Sequence, residues 1–223
     1  MIAAIKRRSR DGRQQAVATV DRRAEEVKKP VPGILVLHTA GGFSKHEEDV
    51  AAKLAKQGYI VMTMTYTPPV DGAVLFKDEE RVRKLEQFIV DSAKALKAQP
   101  GVDKDRMGVV AYSLGGYFVP LLLSGTQDCK FQAGVIYYGV FDIPPAWAEF
   151  RAPLLVLQGD KDKYPNFLPR AQALAERNKS VELVVYPGAM HQFDFDFLRD
   201  RFDPQAADDA WMRTLAFLEK HLK

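Results

Sequence analysis

The sequence predicts an α/β fold: a mostly parallel sheet with helices on both faces. Three observations carry that expectation. Short, continuously apolar runs such as Gly33–Leu37 suit strands covered on both sides. Other segments place apolar residues on one helical face, as Val82, Leu85, Phe88, Ile89, Ala93 and Leu96 do. The two kinds of segment alternate along the chain, which is the order of βαβ units.

Asp11-Gly12 is a hairpin-turn signal between two weak strands, Ile2–Arg7 and Gln14–Val20, and predicts an N-terminal antiparallel hairpin. Gly33–Leu37 is the first buried strand, followed by the loop His38-Thr39-Ala40-Gly41-Gly42. Ser44-x-x-Glu47 is a capping box opening a helix with Val50, Ala51 and Leu54. Tyr59–Thr65 reads as a strand, a long loop through Asp71-Gly72 follows, and a helix starts near Asp78. Met107–Tyr112, Ala133–Tyr138, Pro153–Gln158 and Val181–Tyr186 are further strands, with a helix over Phe167–Arg177. Asp203-Pro204 supplies an N-cap and a proline at the first helical position, ahead of a stripe of Trp211, Leu215, Leu218 and Leu222. About fourteen residues separate the strands ending at 138 and beginning at 153, too few for a lid domain, so a fairly open site is expected.

At 223 residues the chain is long enough for a full core, and it is read as a single domain over 1–223. No apolar stretch approaches the roughly 18 residues of a membrane span, and the basic N-terminus lacks the apolar run of a secretory signal. The one cysteine, Cys129, allows no intramolecular disulfide; it reads as a packing residue and fits a cytoplasmic location. Residues 1–30 hold nine Lys/Arg against four Asp/Glu, a local +5 in a chain of net charge +3. That charge reads as the solvated decoration of an edge hairpin rather than a nucleic-acid or membrane surface. No zinc-type spacing or phosphate loop occurs, and neither metal nor organic cofactor is expected.

The chemistry concentrates in Val109-Val110-Ala111-Tyr112-Ser113-Leu114-Gly115-Gly116. An apolar strand runs into a lone serine and two glycines that open an apolar helix, the turn that lifts a nucleophile above a sheet end. Ala111 stands where such elbows usually have glycine. Gly115 lets helix and strand approach closely, and the Leu114 N–H is placed to hold an oxyanion. A serine hydroxyl needs a base and a group that orients the base. Gly159-Asp160-Lys161-Asp162 follows one strand and Pro187-Gly188-Ala189-Met190-His191 another. Asp160, directly after the glycine, fits a turn-forming role better than Asp162 does. The order Ser113, Asp162, His191 is that of a triad on an open parallel sheet. Ala40 is expected to give the second oxyanion donor, with Thr39 its nearest rival. His46 and His221 read as solvated and uninvolved; His38 either braces its loop or touches substrate.

The ensemble resembles the dienelactone hydrolase family of the α/β-hydrolase superfamily. The resemblance runs from about Gly33 to Leu222 and rests on Leu37–Gly42, Gln57-Gly58-Tyr59, Ser113–Gly116, Tyr137-Tyr138-Gly139, Gly159–Asp162 and Tyr186–Phe193, with Ala206–Trp211 and Arg213 similar too. It implies the α/β-hydrolase fold, with Asp162 as the acid, His191 as the base, and Ala40 and Leu114 as oxyanion donors. Three positions depart from the pattern. Ser113 stands where the family's dienelactone-cleaving members carry cysteine, Thr39 where they carry a glutamate, and Phe195 where an arginine binds a substrate carboxylate.

The expected activity is serine-dependent cleavage of small carboxylic esters through an acyl-enzyme. Lactonase, thioesterase, short-peptide hydrolase and a non-catalytic binding protein on the same fold are the alternatives. Phe43, Tyr66, Tyr112, Tyr164 and Phe193 adjoin the proposed loops and are, with Thr39, candidates for contacting substrate, although aromatics at this density also build cores. Loss of the family arginine points to neutral esters; Arg199 or Arg201 would be its replacement. The expected partner is a small ester alone, and the chain is expected to be a monomer or homodimer.

Overall fold

The computed structural model describes residues 2–6, 17–21, 29–125 and 130–223. The predicted turn at Asp11-Gly12, most of the basic segment and Cys129 lie outside them.

The elements in order are β1 (Ile2–Lys6), β2 (Val17–Asp21), β3 (Val31–Leu37), α1 (Lys45–Lys56), β4 (Ile60–Thr63), α2 (Gly72–Leu75), α3 (Glu79–Lys97) and β5 (Val102–Tyr112). After a 3-10 segment, Ser113–Phe118, come α4 (Val119–Ser124), β6 (Ala133–Tyr137), β7 (Leu154–Gly159), α5 (Phe167–Arg177), β8 (Val181–Tyr186) and α6 (Pro204–Leu222). One eight-stranded sheet has the order β1-β2-β4-β3-β5-β6-β7-β8. The first pair and the β2–β4 pair are antiparallel, and every pair from β4 to β8 is parallel. The chain therefore forms the expected parallel sheet with an antiparallel N-terminal hairpin. Among the described residues no helix is long and apolar enough to cross a membrane.

The two-residue period of β3 and β5 divides the core. Leu35, Leu37, Val109 and Ala111 face the layer containing Val82, Leu85 and Ile89 of α3, with Leu122 of α4 and Ala171 of α5. Ile34, Val36, Val110 and Tyr112 face the opposite layer of α1 and α6, which contributes Val50, Leu54, Ala210 and Leu218. Helix starts follow the capping signals. Ser44 N donates to Glu47 Oε2 at 2.9 Å, Asp78 Oδ1 accepts from Arg81 N at 3.0 Å, and Asp203 Oδ1 accepts from Ala206 N at 3.0 Å. β5 begins five residues before the predicted Met107, because Val31 pairs with Val102 below a register shift between Pro32 and Gly33. The long loop around Asp71-Gly72 contains the single turn of α2.

Candidate active site

Parallel pairing puts the C-terminal ends of β3, β5, β6, β7 and β8 along one edge, where the loops carrying the candidate residues emerge. Ser113 follows β5 directly, at φ 48°. That left-handed backbone is costly for a residue with a Cβ. The other non-glycine residues with positive φ among those described are Tyr138 (41°), just past β6, and Gln192 (65°), next to His191. All three strained positions border the same site. The chain then turns through a 3-10 segment, not straight into the expected α-helix, and α4 starts only at Val119 with proline at its second position. A Cβ on Gly115 would lie 2.7 Å from Leu37 Cβ, so glycine is what lets this turn lie against β3.

His191 Nε2 lies 3.0 Å from Ser113 Oγ, and His191 Nδ1 lies 2.8 Å from Asp162 Oδ2. The three side chains are nearly out of solvent: Ser113 is 6% exposed, and the side chains of His191 and Asp162 are 5% and 3% exposed. Asp162 is itself anchored. Gln158 Nε2 donates to its Oδ2 at 3.0 Å and the Tyr164 amide to its Oδ1 at 2.9 Å. Gln158 is a contact that sequence reading missed. It sits near the end of an apolar strand, and a polar residue in that run, four positions before a candidate acid, was the available signal.

Asp160 has the turn role expected of it, and it also ties two loops together. Its Oδ1 accepts from Gly188 N at 2.7 Å, while Lys161 N donates to Ala189 O at 3.0 Å. A Cβ on Gly159 would overlap Ala189 O. The loops carrying Asp162 and His191 are thus held in a fixed mutual register.

His38 braces its loop. Nδ1 donates to Thr39 O at 2.6 Å, Nε2 accepts from Tyr66 N at 3.3 Å, and the ring stacks on Tyr66 at 3.9 Å. Burial pushes its pKa down to about 4, so the ring is neutral near pH 7.

Ala40, Ser113 and Leu114 line one cavity of about 550 Å³. Phe76, Tyr117, Phe141 and Phe167 form much of its wall with Tyr164, and Asp71, Asp142 and Arg170 are its charged residues. Of the aromatic candidates, Tyr164 alone is among them. Tyr112 and Phe193 belong to the α1/α6 side of the sheet, fully buried and packed around Tyr137. The strand period sends Tyr112 through the sheet away from the cavity, which lies on the α3/α4 side. Tyr66 is spent on His38, whose carbonyl also accepts its hydroxyl. Thr39 turns its Oγ1 to accept from Gly41 N at 3.0 Å, and Phe43 is half-buried beside the start of α1; neither lines the cavity. The lining rings that sequence reading missed are Phe76, Tyr117, Phe141 and Phe167; they follow the C-terminal ends of β4, β5, β6 and β7 in turn, so the strand-end rule applied to every strand points to them.

His46 corrects another expectation. Its side chain is only 10% exposed, stacked on Phe195 at 3.9 Å, with Nε2 3.3 Å from Asp194 Oδ2. That distance suits an ion pair but the angle is poor for a hydrogen bond, and the attraction is chiefly coulombic. Phe195 is thereby a packing residue. His221 is half-buried against Phe217. Arg201 donates to Gln192 Oε1 at 2.9 Å, and neither it nor Arg199 lines the cavity; the arginine that does is Arg170.

The profile of the dienelactone hydrolase family matches residues 19–222. A protein of a Bradyrhizobium species named "Probable 2-oxo-3-(5-oxofuran-2-ylidene)propanoate lactonase" is 30% identical over 218 residues, spanning 86% of this chain and 85% of that protein. A dienelactone hydrolase-like promiscuous phosphotriesterase from metagenomic libraries has a TM-score of 0.80 at 19% identity, covering 100% of this chain and 99% of the other. The dienelactone hydrolase of Anabaena variabilis has a TM-score of 0.73 at 17% identity, with the same coverages. At those identities the two structures speak to the fold.

Proposed function

The chain belongs to the dienelactone hydrolase family, and from that premise we propose that it cleaves small carboxylic esters and lactones with Ser113 as nucleophile, His191 as base and Asp162 as orienting acid. The observation that carries this reading is the bridging imidazole, 3.0 Å from the serine oxygen on one side and 2.8 Å from the carboxylate on the other.

His191 Nε2 accepts the proton of Ser113 Oγ as that oxygen adds to the carbonyl carbon. Asp162 accepts from Nδ1–H, which fixes the tautomer and stabilises the imidazolium. The carbonyl oxygen, now an oxyanion, is met by the N–H groups of Leu114 and Ala40, each such donor contributing roughly 3 kcal/mol to the transition state. The imidazolium returns its proton to the leaving alkoxide. Water, deprotonated by the same Nε2, then adds to the acyl carbon; the bond to Ser113 Oγ breaks, Oγ takes the proton back from the imidazolium, and the acid departs. In a lactone the leaving oxygen stays tethered, and the product is a single hydroxy acid. The lactonase name of the Bradyrhizobium relative favours including lactones.

The test is Ser113→Ala on p-nitrophenyl acetate and on a five-membered lactone. Turnover should fall by at least about a thousandfold with the folded state intact, and a fluorophosphonate probe should label wild type only. Equal turnover in both proteins would end the proposal.

A further inference from the structure

The cavity beside Ser113 is walled by five aromatic side chains, and its one lining cation is already engaged. Arg170, in the first turn of α5, donates from Nε to Asp142 Oδ1 at 2.8 Å and from Nη2 to Asp142 Oδ2 at 2.6 Å. This is the two-pronged geometry in which a guanidinium grips any carboxylate, a substrate's included. The partners differ in exposure: the Asp142 side chain is 81% exposed and that of Arg170 31%. An acid from the loop after β6 thus lies over a more sheltered arginine.

We propose that Asp142 is a specificity-determining residue that occupies the Arg170 fork and so restricts the site to esters whose acyl part is uncharged and apolar. The inference rests on the ester-hydrolase reading above. An anionic acyl chain entering this cavity must displace Asp142 from Arg170 or stay unpaired between rings. In the first case it must break that ion pair, and in the second it loses its hydration without gaining a partner. An aliphatic or aromatic chain meets no such penalty and gains contact with Phe76, Phe141 and Phe167. Removing Asp142 should therefore expose a carboxylate receptor that is already built into the wall.

The experiment compares p-nitrophenyl valerate with the mono-p-nitrophenyl ester of glutaric acid, which share leaving group and chain length and differ in a terminal methyl or carboxylate. Wild type should favour the valerate by at least about tenfold in kcat/KM. Asp142→Ala should shrink that preference by about tenfold, and Asp142→Ala with Arg170→Gln should restore it. The inference is overturned if wild type takes the glutarate ester as well as the valerate, or if Asp142→Ala leaves the ratio unchanged. It is equally overturned if the gain survives in the double variant, since net charge and not the fork would then explain it. Absence of any Ser113-dependent cleavage of either ester would instead remove the hydrolase reading, and this inference with it.

Discussion

Tyr138 places its hydroxyl 2.5 Å from Oδ1 of Asp194, while its ring meets the imidazole of His191 edge-on with centroids 4.9 Å apart. One residue at φ 41° thus joins the His191 ring to a largely buried carboxylate three positions along the chain. The second oxygen of that carboxylate faces His46. Burial, the largest single influence, would lower the His46 pKa, but the Asp194 carboxylate and the charge of Glu47 together outweigh it and hold the pKa above its ordinary value. Hydroxyl and ring have separable duties. Tyr138→Phe keeps the ring against His191 and leaves a buried acceptor short of a donor, so stability should fall by about 1–3 kcal/mol with kcat/KM little changed. Tyr138→Ala should lower kcat as well. Urea denaturation read beside steady-state kinetics distinguishes the two. A phenylalanine variant as stable as wild type would show that Asp194 does not depend on the hydroxyl.

Asp162 should matter through the tautomer it selects. Asp162→Asn keeps the shape but offers His191 Nδ1 an amide that can donate, which favours the ring with its proton on the wrong nitrogen. By analogy with triads generally, kcat should drop by roughly 10³–10⁴ with the protein still folded at the assay temperature. Gln158→Leu removes the donor behind Asp162, together with that amide's bond to Gly159 O, and should cost far less, about tenfold. Ester hydrolysis by the two variants checks this, and a Gln158 variant as damaged as Asp162→Asn would contradict the ranking.

What the sequence exposes and what it hides follow from the range of the signals. Strand ends, caps and the elbow are local, so Ser113, Asp162, His191 and the helix starts at Ser44, Asp78 and Asp203 were legible from neighbouring residues. The cavity wall is not local. Whether an aromatic near the site faces substrate or core depends on which side of the sheet its strand position selects. Tyr112 and Ser113 are adjacent in sequence, yet Tyr112 packs towards α1 and α6 while Ser113 opens on the cavity. Arg170 and Asp142 are 28 residues apart and meet only because the loop after β6 and the start of α5 converge. His46 looked exposed because a first helical turn usually is; Phe195 and Asp194, nearly 150 positions away, cover it.

Gly159 offers a test of how the loops carrying Asp162 and His191 are registered. Any side chain there would overlap the carbonyl of Ala189, two residues before His191. Gly159→Ala must push the loops apart, costing about 1–3 kcal/mol and lengthening the contact between His191 and Asp162. Activity should fall more steeply than stability at temperatures where the variant is still folded. Thermal melts with kinetics below the melting transition measure both, and a variant with wild-type kcat would mean that the loops can part without moving the imidazole.

The buried ring of His38 makes stability depend on pH in a direction that can be worked out. In the unfolded chain a histidine titrates near 6.5, whereas burial holds folded His38 at about 4. Between those values the unfolded state binds the extra proton, so stability falls as pH is lowered. The contribution is fully present above about pH 6.5 and is lost progressively towards pH 4, amounting to about 3 kcal/mol over the window. Other groups titrate in the same range, so the informative quantity is the difference between wild type and a variant without the imidazole. His38→Gln removes it while retaining a donor for Thr39 O. The stability difference between the two proteins, from urea denaturation at several values between about pH 4 and about pH 7, should narrow steadily on acidification. A difference that stays constant would mean that His38 is protonated as easily inside the protein as outside it, and that its ring does not depend on being neutral to hold the loop of Ala40.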